Sequence, residues 1–236
     1  MTGIQIIGLI ITAIASYFVG NINFAVIISK CAKSDIRKSG SGNPGTMNML
    51  RTFGAKLGVL TLFLDAMKGF VPATIAKLVF ANSFVASFCI GDLAMYIAGI
   101  SVTLGHIFPV LIKFKGGKGV ATTLGVFLAS SPIPTLIIFL LGVSYIYFFE
   151  FGSMGSMLFL SGMAIYQGII FNAKYVINGV LDEAIAPLYF ALCALILCTC
   201  LITWLAHKDN IARLIFGVEH KTELKKIIKK INKKKG

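Results

Sequence analysis

Long apolar runs separated by short polar segments cover most of the chain. A helix needs about 20 mostly apolar residues to cross a bilayer, and seven runs approach or exceed that length. The fourth and fifth are short, and Pro132 and Pro134 predict a tight turn between them. The predicted spans are residues 4–29, 55–80, 84–110, 119–132, 134–149, 156–172 and 185–206. This pattern predicts an all-α, polytopic integral membrane protein.

Lysines and arginines are distributed unevenly among the polar segments. They cluster after the first, third and seventh predicted spans, whereas the opposite side has little beyond Lys77 and Lys174. Positively charged residues accumulate on the cytoplasmic side of membrane proteins. The bias therefore predicts an amino terminus outside and a carboxyl terminus in the cytoplasm, with residues 1–236 forming a single membrane-embedded domain.

The composition narrows the class of protein. Hydrophobic residues make up 57% of the chain and charged residues 13%, against about 25% charged in a typical soluble domain. These proportions exclude a soluble globular domain, a disordered chain and a disulfide-stapled secreted domain. The five cysteines form no Cys-x-x-Cys pair and only three histidines are present, so we predict neither a metal site nor a cofactor.

A basic tail at about residues 207–236 contributes much of the formal net charge of +13. Within it Leu224, Ile227, Ile228 and Ile231 recur at helical spacing among lysines. That spacing is typical of an amphipathic helix on anionic membrane lipids, and a solvated charged tail is the alternative. The segment from Lys221 to Lys235 has no aromatic residue for base stacking, so we predict no nucleic-acid binding.

The first polar segment, residues 38–51, is too rich in glycine and polar residues to be an ordinary connection. Gly40, Gly42 and Gly45 allow backbone N–H groups to approach a ligand closely. The polar residues among them are Ser39, Ser41, Asn43 and Asn48. Arg51 ends the segment with a guanidinium suited to phosphate oxygens. We therefore favour a phosphate or other anion site over a flexible linker, and we call this segment the first glycine loop.

A second such segment, residues 105–122, leads into the fourth predicted span. Lys115 and Lys118 flank Gly116 and Gly117, and the backbone amides at the start of the following helix favour an anion. The spacing is not that of a nucleotide-binding P-loop, because Gly119 stands where Ser or Thr would follow the lysine. Lysines that merely orient the spans are the alternative. We call this segment the second glycine loop.

Further polar residues stand in the later cytoplasmic segments. Ser153 and Ser156 lie in a predicted turn at 150–156. His207, Asn210 and Arg213 recur every three residues, so a helix would place them on one face. Taken alone, these residues are typical of a helix end exposed to water.

Charged and polar residues also occur inside the predicted spans. Asp65 and Lys68 can pair on one face of the second span, which offsets the cost of ions at that depth. We expect this pair to support the first glycine loop rather than to act directly. His106, near the end of the third span, is either a general base or a hydrogen-bonded histidine at a helix end.

Together these segments resemble the PlsY family of bacterial acyl-phosphate:glycerol-3-phosphate acyltransferases. The resemblance is carried by residues 39–51, 105–109, 114–122 and 207–214, with Asp65-Ala-Met-Lys-Gly69 in the second span, and it covers nearly the whole chain. Two departures stand out. Thr46-Met47 replaces the usual Ala-Thr, and residues 151–155 match the family's serine-containing motif only loosely.

The resemblance implies transfer of an acyl group from acyl phosphate to the 1-hydroxyl of sn-glycerol 3-phosphate, giving lysophosphatidic acid and phosphate in the first step of phospholipid synthesis. It implies a multi-pass protein of the bacterial cytoplasmic (inner) membrane with its active site on the cytoplasmic face. It also implies a functional link to an enzyme that produces acyl phosphate. The missing His-x-x-x-x-Asp motif agrees with a donor other than acyl-CoA or acyl carrier protein.

Residue roles follow from the matching positions. Ser41, Gly42 and Asn43 are expected to bind the acyl phosphate, with Lys115 or Lys118 neutralising its charge. Arg51, Ser153, His207 and Asn210 are expected to hold glycerol 3-phosphate. The predicted catalytic residues are Ser41, Asn43, Arg51, Lys118 and His207. The predicted substrate-binding residues are Ser39, Gly40, Gly42, Gly45, Asn48, His106, Lys115, Gly116, Gly117, Ser153 and Asn210.

Two questions stay open at this level. The hydroxyl proton could pass to His106, to His207 or to the phosphate of the substrate itself. A membrane transporter for a phosphorylated solute is the alternative function, because glycine loops at broken helices also bind ions in transporters. The chain shows no internal repeat, and its motif loops all fall on one face, which favours the enzyme.

Overall fold

The computed structural model describes residues 1–226, and ten α-helices of eight or more residues account for most of them. The predicted tail residues Ile227, Ile228 and Ile231 lie outside the described residues. The helices are α1 Gly3–Gly20, α2 Phe24–Cys31, α3 Thr46–Phe53, α4 Ala55–Val79, α5 Ile90–Ile107, α6 Val120–Ser130, α7 Pro132–Phe149, α8 Gly152–Asn172, α9 Ala186–Leu205 and α10 Lys208–Ile215. The strands β1 Phe84–Val85 and β2 Phe88–Cys89 form a small antiparallel hairpin. The all-helical prediction is confirmed.

Six helical segments within residues 1–226 are long and apolar enough to cross a membrane. They are Gly3–Cys31, Ala55–Val79, Ile90–Ile112, Pro132–Phe149, Gly152–Ile177 and Ala186–Leu205. The predicted fourth span, 119–132, is instead the 11-residue helix α6, which is only about 16 Å long. A hydrocarbon core is about 30 Å thick, so α6 is too short to cross it alone.

The first predicted span is also not one continuous helix. Asn21 and Asn23 interrupt it between α1 and α2, and both side chains are buried. Asn23 caps α2 by accepting a hydrogen bond from Val26 N at 3.0 Å. Asn21 accepts a hydrogen bond from Leu111 N at 3.1 Å, which ties the break to the second glycine loop.

Two other predicted boundaries shift. The third predicted span begins at residue 84, but the β1–β2 hairpin occupies residues 84–89 and α5 begins at Ile90. The predicted turn at 150–156 is shorter, because α8 begins at Gly152. Ser153 and Ser156 therefore lie in the first turn of a helix, where Ser156 Oγ donates to the Gly152 carbonyl at 2.8 Å.

The inner end of α6 is satisfied by polar groups of its neighbours. Tyr96 of α5 donates its hydroxyl to Ser130 Oγ at 3.2 Å, and Ser130 Oγ lies 3.3 Å from Gln167 Oε1 of α8. Thr135 Oγ1 donates a hydrogen bond to the Phe127 carbonyl at 2.9 Å. Because lipid offers no hydrogen bonds, a helix can end within the bilayer only where protein groups satisfy its backbone. Thr135 thus satisfies a carbonyl in the last turn of α6, and the Ser130 hydroxyl connects the end of α6 to α5 and α8.

Helices α4 and α6 pack with their backbones in close approach at two glycines. A Cβ on Gly125 would overlap the Ala66 carbonyl oxygen and lie 2.7 Å from Phe70 N. A Cβ on Gly69 would overlap the Thr122 carbonyl oxygen. Since the obstacles are backbone atoms, no side-chain rearrangement can relieve them.

Gly125→Ala is therefore expected to destabilise the protein by at least about 2 kcal/mol, the usual scale of overpacking. Thermal unfolding of the detergent-solubilised protein measures the effect as a lower midpoint. Gly168→Ala in α8 is the matched control, because nothing lies within 4 Å of its Cβ position. Equal midpoints for the two variants would contradict the packing described for α4 and α6.

Candidate active site

One cavity of about 1250 Å³ collects the polar segments that the sequence singles out. Both glycine loops, the start of α8 and the α9–α10 junction contribute to its wall. The predicted site residues that line it are Ser41, Gly42, Asn43, Gly45, Asn48, Arg51, His106, Lys115, Gly116, Gly117, Lys118, Ser153, His207 and Asn210. Of the predicted residues, Ser39 and Gly40 lie outside this lining.

Four helices begin at the cavity. Their first residues, Thr46 of α3, Val120 of α6, Gly152 of α8 and Lys208 of α10, all line it. Within residues 1–226 no side chain caps any of these four amino ends. Uncapped N–H groups and the positive end of the helix dipole favour a bound anion. The sequence analysis predicts this arrangement for α6 only.

Asn48 shapes the first glycine loop from beneath. Its Nδ2 donates to the Ser39 and Asn43 carbonyls at 2.9 and 3.0 Å, and its Oδ1 accepts from Ser41 N at 3.1 Å. Gly40 has φ +58°, and a Cβ there would overlap Asn48 Oδ1. These contacts give Asn48 and Gly40 a part in the shape of the loop, and their contact with substrate stays a prediction.

The amides of the first glycine loop are also largely engaged. Gly42 N donates to the Ser39 carbonyl at 3.1 Å and Gly45 N donates to the Asn43 carbonyl at 3.0 Å. Within this segment, the backbone N–H groups best placed for a ligand are those at the start of α3, which has no side-chain cap and whose first residues Thr46 and Met47 line the cavity.

Lys118 of the second glycine loop is half-buried and contacts α10. Its Nζ donates a hydrogen bond to Asn210 Oδ1. Burial and the neighbouring Arg213 lower the pKa of Lys118 to about 8. Lys115 is exposed by comparison. Lys118 is consequently the loop lysine that the structure places deeper in the cavity wall.

Glu219 is a cavity residue that the sequence analysis misses. Its Oε1 accepts from Ser153 Oγ at 2.8 Å and Asn210 Nδ2 at 2.6 Å, and its Oε2 accepts from Arg213 Nε at 2.8 Å. Burial alone would raise the pKa of Glu219, but these hydrogen bonds and the Arg213 charge together lower it. Glu219 thus joins α8 to α10. The sequence signal that could have identified Glu219 is the placement of Asn210 and Arg213 on one helix face. Their side-chain N–H groups need a hydrogen-bond acceptor nearby.

His207 lies buried at the junction of α9 and α10. Its Nδ1 is 2.8 Å from the Thr203 carbonyl oxygen, which can only accept, so Nδ1 carries the proton and Nε2 keeps a lone pair. Burial lowers the pKa of His207 to about 4. The ring is therefore neutral at pH 7 and offers an acceptor.

Asp65 and Lys68 form the predicted ion pair, with Asp65 Oδ1 and Lys68 Nζ 2.7 Å apart and both side chains buried. The pair does not reach the first glycine loop as expected. Lys68 Nζ instead donates to the Ile22 carbonyl at 2.7 Å and lies 2.7 Å from His106 Nδ1. The expected support of the loop is therefore replaced by contacts with the α1–α2 break and with α5.

Sequence comparison finds one family over most of the chain. Residues 10–217 match the model of the family described as glycerol-3-phosphate acyltransferase. The chain is 38% identical over 208 residues to the glycerol-3-phosphate acyltransferase of Aquifex aeolicus, covering 88% of this chain and 96% of that protein. It is 37% identical over 221 residues to the one from Pseudothermotoga lettingae, covering 94% and 98% respectively.

Solved structures agree with the sequence matches. The fold is similar to the crystal structure of PlsY, an integral membrane glycerol 3-phosphate acyltransferase, in its glycerol 3-phosphate form, with a TM-score of 0.73 and 32% identity over 91% of this chain and 95% of that one. The lysophosphatidic acid form of PlsY gives a TM-score of 0.72 and 31% identity with the same coverage.

Proposed function

The chain belongs to the glycerol-3-phosphate acyltransferase family, and from that premise we propose how its cavity carries the reaction. The protein is an integral membrane acyltransferase that acylates glycerol 3-phosphate. Membership of this family favours the acyltransferase over the alternative function, a transporter for a phosphorylated solute. The observation that carries the proposal is the convergence of four uncapped helix ends and several cations on one cavity with apolar walls.

In the proposed reaction, the 1-hydroxyl oxygen of glycerol 3-phosphate attacks the acyl carbon of an acyl phosphate. The new C–O bond forms as the bond from the acyl carbon to the phosphate oxygen breaks, and the phosphate leaves with the hydroxyl proton. An acyl phosphate is already activated, so positioning and charge stabilisation are the main tasks of the protein. The products are lysophosphatidic acid and phosphate.

The donor phosphate is assigned to the first glycine loop around Ser41, Gly42 and Asn43, with Lys118 neutralising its charge. The half-buried position of Lys118 and the uncapped starts of α3 and α6 support this assignment. An anion here would meet both a full positive charge and two helix dipoles.

Glycerol 3-phosphate is assigned to the neighbouring part of the cavity. Arg51, Ser153, His207 and Asn210 all line that part of the wall. Arg51 supplies a cation, and the neutral His207 offers its Nε2 lone pair to a glycerol hydroxyl. Because Lys118 donates to Asn210, the two phosphate sites share a boundary at that contact.

The acyl chain is assigned to the apolar part of the same cavity. Its lining includes Val59 and Leu62 of α4 and Phe139, Val143 and Ile146 of α7. All five belong to helices long enough to span the membrane. A lipid chain could therefore stay in an apolar environment while its phosphate meets the polar loops.

For the topology we propose an external amino terminus and a cytoplasmic cavity in a bacterial cytoplasmic membrane. Helix α6 runs from the cavity to the half-buried Ser130, and α7 returns to Glu150, whose carbonyl accepts from Thr222 N at 2.8 Å. If α6 runs outward and α7 runs back, seven segments alternate in direction through the membrane. They are the α1–α2 segment, α4, α5, α6, α7, α8 and α9. The lysine bias then places the motif loops in the cytoplasm, near anionic lipids and an enzyme that produces acyl phosphate.

The donor is tested with purified protein, glycerol 3-phosphate and either palmitoyl phosphate or palmitoyl-CoA. We expect lysophosphatidic acid and phosphate from palmitoyl phosphate only, with product identity established by mass spectrometry. Activity with the CoA ester alone would overturn the proposed donor.

The pH dependence of the wild-type enzyme should report on Lys118. An amine loses its charge as the pH rises through its pKa, and the pKa of Lys118 is about 8. We therefore expect kcat/KM for acyl phosphate to fall above pH 8, approaching tenfold per pH unit. Lys118→Arg keeps its charge to above pH 12 and should remove this decline. An unchanged decline in that variant would show that another group titrates.

A further inference from the structure

Lys68 lies in an unusually complete set of hydrogen-bond acceptors. Its Nζ is 2.7 Å from Asp65 Oδ1, 2.7 Å from the Ile22 carbonyl oxygen and 2.7 Å from His106 Nδ1. An ammonium group has three N–H donors and no acceptor. The ammonium group therefore has as many acceptors at 2.7 Å as it has hydrogens.

This arrangement decides which nitrogen of His106 carries the proton. Because the Lys68 ammonium can only donate, His106 Nδ1 must accept, and the proton of the neutral ring lies on Nε2. Asp65 Oδ1 is 3.8 Å from His106 Nδ1, too far to accept a hydrogen bond from it. His106 thus has the opposite tautomer to His207.

The protonated edge of His106 faces the point where the two glycine loops meet. A Cβ added to Gly117 would overlap His106 Nε2 and would lie 3.1 Å from the Pro44 carbonyl oxygen. Gly117 N in turn donates to the His106 carbonyl at 3.1 Å. His106 also lines the cavity, together with Pro44 and Gly117. Its Nε2–H is therefore a buried donor at the boundary between the loops.

We propose that His106 acts as a fixed hydrogen-bond donor, with Nε2–H bonding to an anionic oxygen of the acyl phosphate, and that Lys68 and Asp65 are positioning residues that set its tautomer. The oxygen belongs either to the bound phosphoryl group or to the acyl carbonyl as charge develops during attack. This inference rests on the proposed function. It removes His106 from the candidates for the general base.

Two replacements of His106 separate a donor from a base. Gln places an amide N–H close to the position of imidazole Nε2, whereas Asn keeps an acceptor for Lys68 but has nothing at that position. Neither amide can take up a proton at neutral pH. We expect His106→Asn to lower kcat/KM about 100-fold, the usual loss for one donor to a developing oxyanion, and His106→Gln to stay within about tenfold of wild type.

The source of the oxygen follows from the same kinetics. If His106 binds the phosphoryl group in the ground state, His106→Asn raises KM for acyl phosphate and leaves kcat nearly unchanged. If it stabilises the carbonyl oxygen in the transition state, kcat falls and KM changes little. Near wild-type rates in His106→Asn, or equal losses in both variants, would overturn the proposal.

A measurement without turnover tests the tautomer directly. The chain has three histidines, so ¹⁵N NMR of histidine-labelled protein in nanodiscs is tractable, and signals lost in His106→Asn identify its ring. We expect a protonated Nε2 and an unprotonated Nδ1 in wild type. Lys68→Met combined with Asp65→Asn, which avoids an unpaired buried carboxylate, should change this pattern, whereas Asp65→Asn alone should preserve it. A protonated Nδ1 in wild type would refute the inference.

The proposed donor and the proposed role of His106 can be refuted independently. If wild-type protein makes no lysophosphatidic acid from palmitoyl phosphate, the proposed donor is wrong, whatever the NMR shows. If it does, and His106 has the expected tautomer but His106→Asn is fully active, only the role of His106 is wrong.

Discussion

Lys118→Met is expected to lower kcat/KM for acyl phosphate by about 1000-fold. Methionine approximates the length of the lysine side chain but removes its charge and its hydrogen bond to Asn210. The cation is half-buried beside the start of α6, where water screens it weakly, so its attraction for a phosphate is larger than at an exposed site. A single positioned donor to developing charge contributes about 100- to 1000-fold, and the full charge places Lys118 at the upper end.

Lys113→Met is the matched control for this prediction. Lys113 belongs to the same loop, is exposed, and does not line the cavity. Its replacement removes the same charge from the same face and should change kcat/KM by less than about threefold, as expected for a screened surface charge. If both variants lose activity equally, the general positive potential of the loop matters rather than the position of Lys118. Comparable unfolding midpoints for both proteins would exclude misfolding as the cause.

The parts of this site that the sequence predicts depend only on residues that are close together along the chain. The spacing of Gly40 and Gly42 predicts a tight loop. Both residues adopt positive φ angles, 58° and 72°, which glycine tolerates best. Lys118 directly before an apolar run likewise predicts a cation at the start of a helix. The seven apolar runs are equally local, and six of them correspond to helices long enough to span a membrane.

The parts that the sequence does not predict depend on partners that are distant along the chain. Glu219 lies within the basic tail, and only the fold brings it to Ser153, 66 residues away. The early end of α6 before Pro132 is predicted, but the contacts of its last residue Ser130 with Tyr96 and Gln167 of other helices are not. Asn48 is predicted as a substrate-binding residue from its place among the loop glycines, and only the fold shows that its amide also forms hydrogen bonds within its own loop.

Gly117→Ala is expected to lower kcat/KM at least 100-fold while leaving the fold intact. The added methyl would overlap His106 Nε2, lie 2.9 Å from His106 Cε1 and stand 3.1 Å from the Pro44 carbonyl. A methyl there must push His106 or the first glycine loop aside, so the donor and the phosphate site would no longer be aligned. A displacement of about 1 Å is enough to cost about 100-fold in rate.

Gly168→Ala again provides the matched control, since the same substitution in α8 meets nothing within 4 Å and should leave kcat/KM within about twofold. The contrast with Gly125→Ala matters as well. A methyl added at Gly125 would clash with the backbone of α4, so that variant should lose stability. A methyl added at Gly117 would clash with a side chain at a loop junction, so that variant should lose activity. Full activity in Gly117→Ala would mean that the two loops can separate without consequence, and their junction at His106 would then have no role in catalysis.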